Sequence, residues 1–152
     1  MELAIDRLAQ AAEHAPRAPL LPRFSLSNAE AWAQSGSVAS WLIAQGFGPG
    51  ALSLAAPVPD SAERVVLLLG ALRAGALMVE TTSDAALVFA ILGGGRLVAS
   101  HGVALAALAR SSIDAAVAER RLHISADTPA RLIRGTCRRH GDFATIAEAV
   151  AD

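Results

Sequence analysis

A three-layer α/β/α domain with a mainly parallel sheet is the fold this sequence predicts, and three features predict it. Residues 47–81 carry a turn, an apolar run, a helical stretch, a glycine stop and a second apolar run, the pattern of one βαβ unit. Strand-like and helical segments keep alternating to residue 125, which favours a parallel sheet with helices on both faces. Hydrophobic residues make up 53 % of the 152, enough for one core without disulfides or metals.

The chain reads as a single domain with a helical part (1–46), a βαβ core (47–125) and an irregular segment ending in a short helix (126–152). Leu3, Ile5, Leu8 and Ala12 recur at helical spacing over residues 2–14, and Pro16 ends that helix. The three prolines of residues 16–24 make an extended connector or poor edge strand. Ser27 and Glu30 form a capping box for a helix over 28–45, stopped at Gly46. Trp32 and Trp41 lie on it and read as packing aromatics. Gly36, at mid-helix, reads as a point of close approach to the sheet.

Gly48-Pro49-Gly50 is a turn, and residues 52–56 are a buried strand that Pro57 and Pro59 end. Asp60 and Glu63 have capping-box spacing. Val65, Leu68, Leu69 and Leu72 share one face of the following helix. Val66 and Leu67 widen its apolar surface, so it is expected to be covered on more than one side. Gly75 supplies a left-handed stop, and 76–81 is the second strand, parallel to the first.

Ser83 is expected to cap a helix over 84–92, with Gly93-Gly94-Gly95 as its stop. A third parallel strand follows over 96–100, then helices over 103–110 and 113–119 and a short strand over 122–125. Asp127-Thr128-Pro129 is a turn. Residues 130–141 are basic and suggest no element, and Thr145 with Glu148 caps a terminal helix.

The net charge is −1, so no basic excess exists to neutralise phosphates, and nucleic acid is not an expected partner. No apolar run reaches the roughly 18–20 residues a membrane span needs, and the first ten residues lack the basic-then-apolar order of a signal peptide. The lone Cys137 excludes an internal disulfide and suggests a cytoplasmic protein. All 13 basic residues are arginine. Without lysine the chain offers no Schiff base, phosphate-loop lysine or lysine base.

Ligands of doubly wound sheets bind at the carboxyl ends of the strands. Asp60 and Ser61 follow the first strand, Thr81 and Thr82 the second, and Ser100 and His101 the third, so these six are the candidate crevice residues. No catalytic residue is assigned, because no nucleophile, base and orienter share a diagnostic spacing. The triple glycine follows a helix instead of opening one, which reads as an αβ turn and not a phosphate cradle. His14, His101, His123, His140 and Cys137 lack metal-ligand spacing, so neither metal nor cofactor is expected. His123 falls in the strand expected over 122–125. Cys137 has Arg134, Arg138 and Arg139 for neighbours, which would favour its thiolate, though a plain thiol on a solvated basic face is the simpler reading.

Residues 46–79, GFGPGALSLAAPVPDSAERVVLLLGALRAGALMV, resemble the early segment of adenylate-forming (AMP-binding) enzymes: acyl- and aryl-CoA ligases, luciferases and adenylation domains. Gly46–Gly50 match the family's turn, Pro59-Asp60-Ser61-Ala62-Glu63 its Pro-Asn-Ser-x-Glu loop, and Arg73-Ala74-Gly75-Ala76 its helix end. FSLSNAEAW (24–32), ALVFAILGGGRLVASH (86–101) and FATIAEAVAD (143–152) resemble further segments of the same region. The resemblance implies the family's N-terminal subdomain, truncated before the phosphate loop. Val79-Glu80-Thr81-Thr82-Ser83 stands where the family has a proline-containing loop, and no family catalytic residue transfers to this sequence. It thus implies a scaffold or interaction module, inactive alone, that forms homo-oligomers or joins a protein supplying the missing ligase segments. A binding module for an acyl, aryl or nucleotide group is the alternative, and a stand-alone enzyme the third reading.

Overall fold

The computed structural model describes residues 2–57, 59–80, 85, 87–92, 96–99 and 115–151, and for 87–92 and 96–99 it describes the backbone. Helices α1 (Ala4–His14) and α2 (Asn28–Ala44) precede β1 (Ser53–Ala55), α3 (Ala62–Ala74) and β2 (Leu77–Met78). Then come β3 (Leu87–Leu92), β4 (Arg96–Ala99), α4 (Ala115–Arg121), β5 (Pro129–Ile133), β6 (Thr136–Arg139) and α5 (Ile146–Ala149). The strands form one sheet in the order β4-β3-β1-β2-β5-β6. The pairs β1–β2, β1–β3 and β2–β5 are parallel, and β3–β4 and β5–β6 are antiparallel. The mainly parallel α/β class expected from the sequence is therefore the one found.

The βαβ unit is its centre. Leu54 pairs with Met78 on one side and Leu87 on the other. Every residue of α3 from Arg64 to Ala74 is buried, so the helix is enclosed all round, as its wide apolar surface suggests. Leu67, Leu68 and Leu69 are at most 1 % exposed, and truncating any one to alanine should cost about 2–5 kcal/mol. Gly75 takes φ 74° at the end of α3. A Cβ there would sit 2.9 Å from the Pro49 ring, so both backbone and space require glycine. The Nη1 of Arg120 donates to Phe47 O at 2.8 Å and Ala74 O at 2.7 Å, bringing a cation to the negative end of α3.

Gly36 is buried within α2. A second helical glycine, Gly70 of α3, sets a close approach between helices: a Cβ on Gly70 would lie 2.5 Å from Val38 Cγ1 of α2. The described helices pack on one another, α2 with α3 and α1, and α4 with α2 and α3. The helix expected over 103–110 lies outside the described residues.

Four expectations change. Residues 87–92 are strand, not helix: LVFAIL is a six-residue apolar run with a β-branched and an aromatic residue, short for a helix and suited to a buried strand. The triple glycine therefore follows a strand and cannot stop a helix, and it lies outside the described residues. β4 runs antiparallel to β3, with Leu92 opposite Arg96. It was expected to be a third parallel strand, but three residues suffice only for a hairpin and not a crossover. Residues 122–125 form turn and coil in place of a strand, because Leu122, His123 and Ile124 close the end of α4 through backbone bonds to Glu119, Arg120 and Arg121.

The fourth change is in 130–141, which hold the β5–β6 hairpin. Its two-residue turn, Arg134-Gly135, has φ 50° and 79°, positive at both positions as a type I′ turn requires. Arginine seldom adopts that conformation, and the Glu80 carboxylate accepts from the Arg134 N–H at this turn.

The Ser27–Glu30 capping box forms, with Ser27 Oγ 3.1 Å from Glu30 N and Glu30 Oε1 3.0 Å from Ser27 N; at the last helix Thr145 Oγ1 caps Glu148 N at 3.1 Å, but the Glu148 carboxylate accepts from Ala144 N instead of closing the box. The cap of α3 is Ser61, not Asp60: Ser61 Oγ accepts from Arg64 N at 3.1 Å. Asp60 turns to Arg23, whose Nε donates at 2.7 Å. Ser61→Ala is accordingly expected to lower stability by about 1 kcal/mol. Asp60→Ala should cost less, about 0.5 kcal/mol, because its ion pair is solvent-screened. Urea melts of the two variants check the order.

Candidate functional site

Two cavities bear on function. The first opens where β1, β2 and β5 end. It has a volume of about 500 Å³, and its walls include Pro57, Pro59, Arg64, Met78, Glu80 and Arg131. Pro57 and Pro59 shape it by ending β1, since neither can continue the ladder. Arg131 is 6 % exposed and donates through Nη1 to Ala149 O at 3.1 Å, at the carboxyl end of α5. That charge is thus partly satisfied by a helix terminus. Arg64 is also buried, so two arginines and the Glu80 carboxylate are the charged groups among the described lining residues.

A crevice at the strand carboxyl ends is where the sequence placed its candidate site. Its described walls come from neighbours of the expected residues. Asp60 follows Pro59 but is bound to Arg23, which holds its carboxyl below the usual range chiefly through the hydrogen bond. Ser61 is occupied as a helix cap. Thr81, Thr82, Ser100 and His101 lie outside the described residues. Arg64, Glu80 and Arg131 were not singled out from the sequence. For Glu80 and Arg64 a signal existed: one directly follows the second strand and the other opens the helix after the first.

The second cavity, about 360 Å³, lies among α1, α2, α3 and α4 and is lined by Ile5, Asp6, Ala9, Trp32, Arg73, Val117, Ala118 and Arg121. Arg121 grips both Asp6 oxygens, Nε to Oδ1 at 2.7 Å and Nη2 to Oδ2 at 2.6 Å. That bond lowers the Asp6 carboxyl and raises the guanidinium. Arg73 lies 3.6 Å above the Trp32 ring, and burial pushes its guanidinium down to about 10, still protonated at neutral pH.

Other titratable candidates fall elsewhere. Cys137 is exposed on β6, and His123 is exposed in the turn after α4. No group of three or more metal-ligating side chains occurs among the described residues, and no helix there is long and apolar enough to cross a membrane.

A sheet with a parallel centre, flanked by helices, defines the mixed α/β class. Within that class the fold is the N-terminal subdomain fold of adenylate-forming enzymes. The chain is similar to VinN over 87 % of its own length and 41 % of VinN's, at 19 % identity and a TM-score of 0.59. It is similar to the ATP-bound RpMatB-BxBclM chimera B3 over 86 % of its own length and 32 % of the chimera's, at 20 % identity and a TM-score of 0.54. A looser likeness, TM-score 0.45 at 29 % identity over 55 % of this chain and 22 % of the other, is to the N-terminal domain of FACL13 from Mycobacterium tuberculosis. The chain therefore spans well under half the length of these proteins. No protein-family model matches it, and no curated protein matches it in sequence.

Proposed function

We propose that these residues are the N-terminal platform of an adenylate-forming acyl or aryl ligase lineage, catalytically silent by themselves. They would act as a cytoplasmic scaffold that self-associates or joins a chain carrying the remaining ligase segments. The observation behind this reading is the extent of the likeness: 87 % of this chain follows 41 % of VinN. Two features support it. The chain contains no lysine, and family chemistry relies on lysines in the phosphate loop and the C-terminal domain. The outermost strand β6 exposes Thr136, Cys137 and Arg139, an edge to which another chain can add. The purified chain should give no ATP–pyrophosphate exchange with carboxylic acids and should scatter light as more than a monomer. Exchange above background, or a clean monomer that pairs with no ligase remainder, would overturn the reading.

The cavity at the strand carboxyl ends favours a second reading, a binding module for an acyl, aryl or nucleotide group. Its cationic lining suits an anionic ligand. A thermal shift with ATP, AMP, CoA or a carboxylic acid, abolished by Ile133→Trp at the cavity rim, is expected on this reading. No shift with any of them removes it.

A further inference from the structure

Arg73 of α3 donates hydrogen bonds only through Nη1 among the described residues. It is 5 % exposed. Its Nη1 donates to Trp32 O at 2.6 Å and Ser35 Oγ at 3.0 Å, and one face of the guanidinium covers the Trp32 ring. Both hydrogen-bond acceptors are neutral. Among the described residues no carboxylate pairs with it, and its Nε and Nη2 edge has no partner. A buried cation in this state is costly unless a counter-charge reaches it.

The same molecule shows what that edge takes. Arg121 and Arg23 each hold a carboxylate side-on through Nε and Nη2, on Asp6 and Asp60 respectively. Arg73 lines a cavity of about 360 Å³, and its Nε and Nη2 make the same kind of fork. The fork geometry matches a planar carboxylate bidentately. Ile5, Ala9, Val117 and Ala118 give the cavity apolar walls. Asp6 would repel an anion, but Arg121 already neutralises it. A cavity of this size lies within the range of small-molecule sites.

We propose that the cavity among α1, α2, α3 and α4 binds a small monocarboxylate with an apolar body, its carboxylate side-on to Arg73 and its body against Ile5, Ala9 and Val117. This site is separate from the crevice at the strand ends and does not depend on the ligase reading.

Titration calorimetry with octanoate and benzoate, against octanamide, benzamide and inorganic phosphate, tests it. Both carboxylates should bind one per chain. The neutral amides should bind at least tenfold more weakly, and phosphate, which lacks the apolar body, should not compete. Arg73→Lys, which keeps the charge without the fork, should weaken carboxylate binding about tenfold. Ala118 is exposed at the cavity mouth, so Ala118→Trp should leave the fold intact and abolish binding even where an Arg73 variant fails to fold. Ile133→Trp, at the rim of the other cavity, should leave octanoate binding unchanged. Failure of both carboxylates to bind the folded chain overturns the proposal. So does equal binding by the amides, effective competition by phosphate, or binding that survives Ala118→Trp. Octanoate binding lost in Ile133→Trp but kept in Ala118→Trp would assign the ligand to the strand-end crevice instead.

Discussion

Gly70→Val is expected to destabilise the protein by about 3 kcal/mol, with the loss confined to the contact between α2 and α3. The position is a buried helix interior, where glycine is ordinarily about 1 kcal/mol worse than alanine. Propensity alone therefore favours replacement. Space forbids it: a Cβ would lie 2.5 Å from Val38 Cγ1, 2.7 Å from Val38 Cβ and 3.3 Å from Ser35 O. The last is backbone of the facing helix and cannot rotate away. Overpacking of a filled core costs about 1–3 kcal/mol, and a branched side chain adds two further methyl groups to the clash. Val38 and Gly70 should also be strongly coupled. In a Val38→Ala background, Gly70→Ala should be much less damaging than in the parent. Chemical denaturation of the four members of that cycle measures the coupling, and additive losses would show that the helices do not meet at this point.

Acidification should weaken the fold well above the range where carboxylates titrate, through His140. The side chain is 3 % exposed, and its buried Nε2 has no hydrogen-bond partner among the described residues. Burial first, and the Arg121 charge second, lower its pKa from 6.5 to about 4. The folded state thus resists a proton that the unfolded chain accepts. The contribution of neutral His140 is complete above pH 6.5. It falls as pH drops toward 4, because the unfolded state then binds more protons, and levels off below that. A shift of this size corresponds to about 3 kcal/mol. His140→Leu should flatten the stability curve between pH 6.5 and 4. The lowered Asp6 carboxyl acts in a separate window. Its contribution is present above its unfolded value of 3.8 and is lost below it, as pH falls through the lower folded pKa. Melting temperatures across pH 3–8 separate the two, and a His140→Leu curve parallel to the parent's would contradict the assignment.

Much of the fold was legible because local chemistry decides it. Ser27 with Glu30, Thr145 with Glu148, and Gly75 each act within four residues of chain, so spacing alone finds them. The apolar runs at 53–55 and 77–78 are flanked by prolines or glycines that leave few choices. The apolar run over 87–92 carries no period that separates helix from strand, and pairing with β1 makes it a strand. The hairpin at Arg134-Gly135 was hidden because its turn depends on an arginine in an uncommon conformation, beside the Glu80 carboxylate from 54 residues away.

The candidate sites divide in the same way. The sequence by itself determined that a βαβ unit forms and that a crevice belongs at the ends of its strands, since strand direction follows from the crossover. It also determined that no lysine chemistry is available. Only the tertiary structure decided that Asp60 is bound to Arg23, that Arg64, Glu80 and Arg131 share one cavity, and that Arg73 lines another while donating only through Nη1. Pairings across 37 to 115 residues of chain depend on where whole elements come to rest, and no local spacing encodes that.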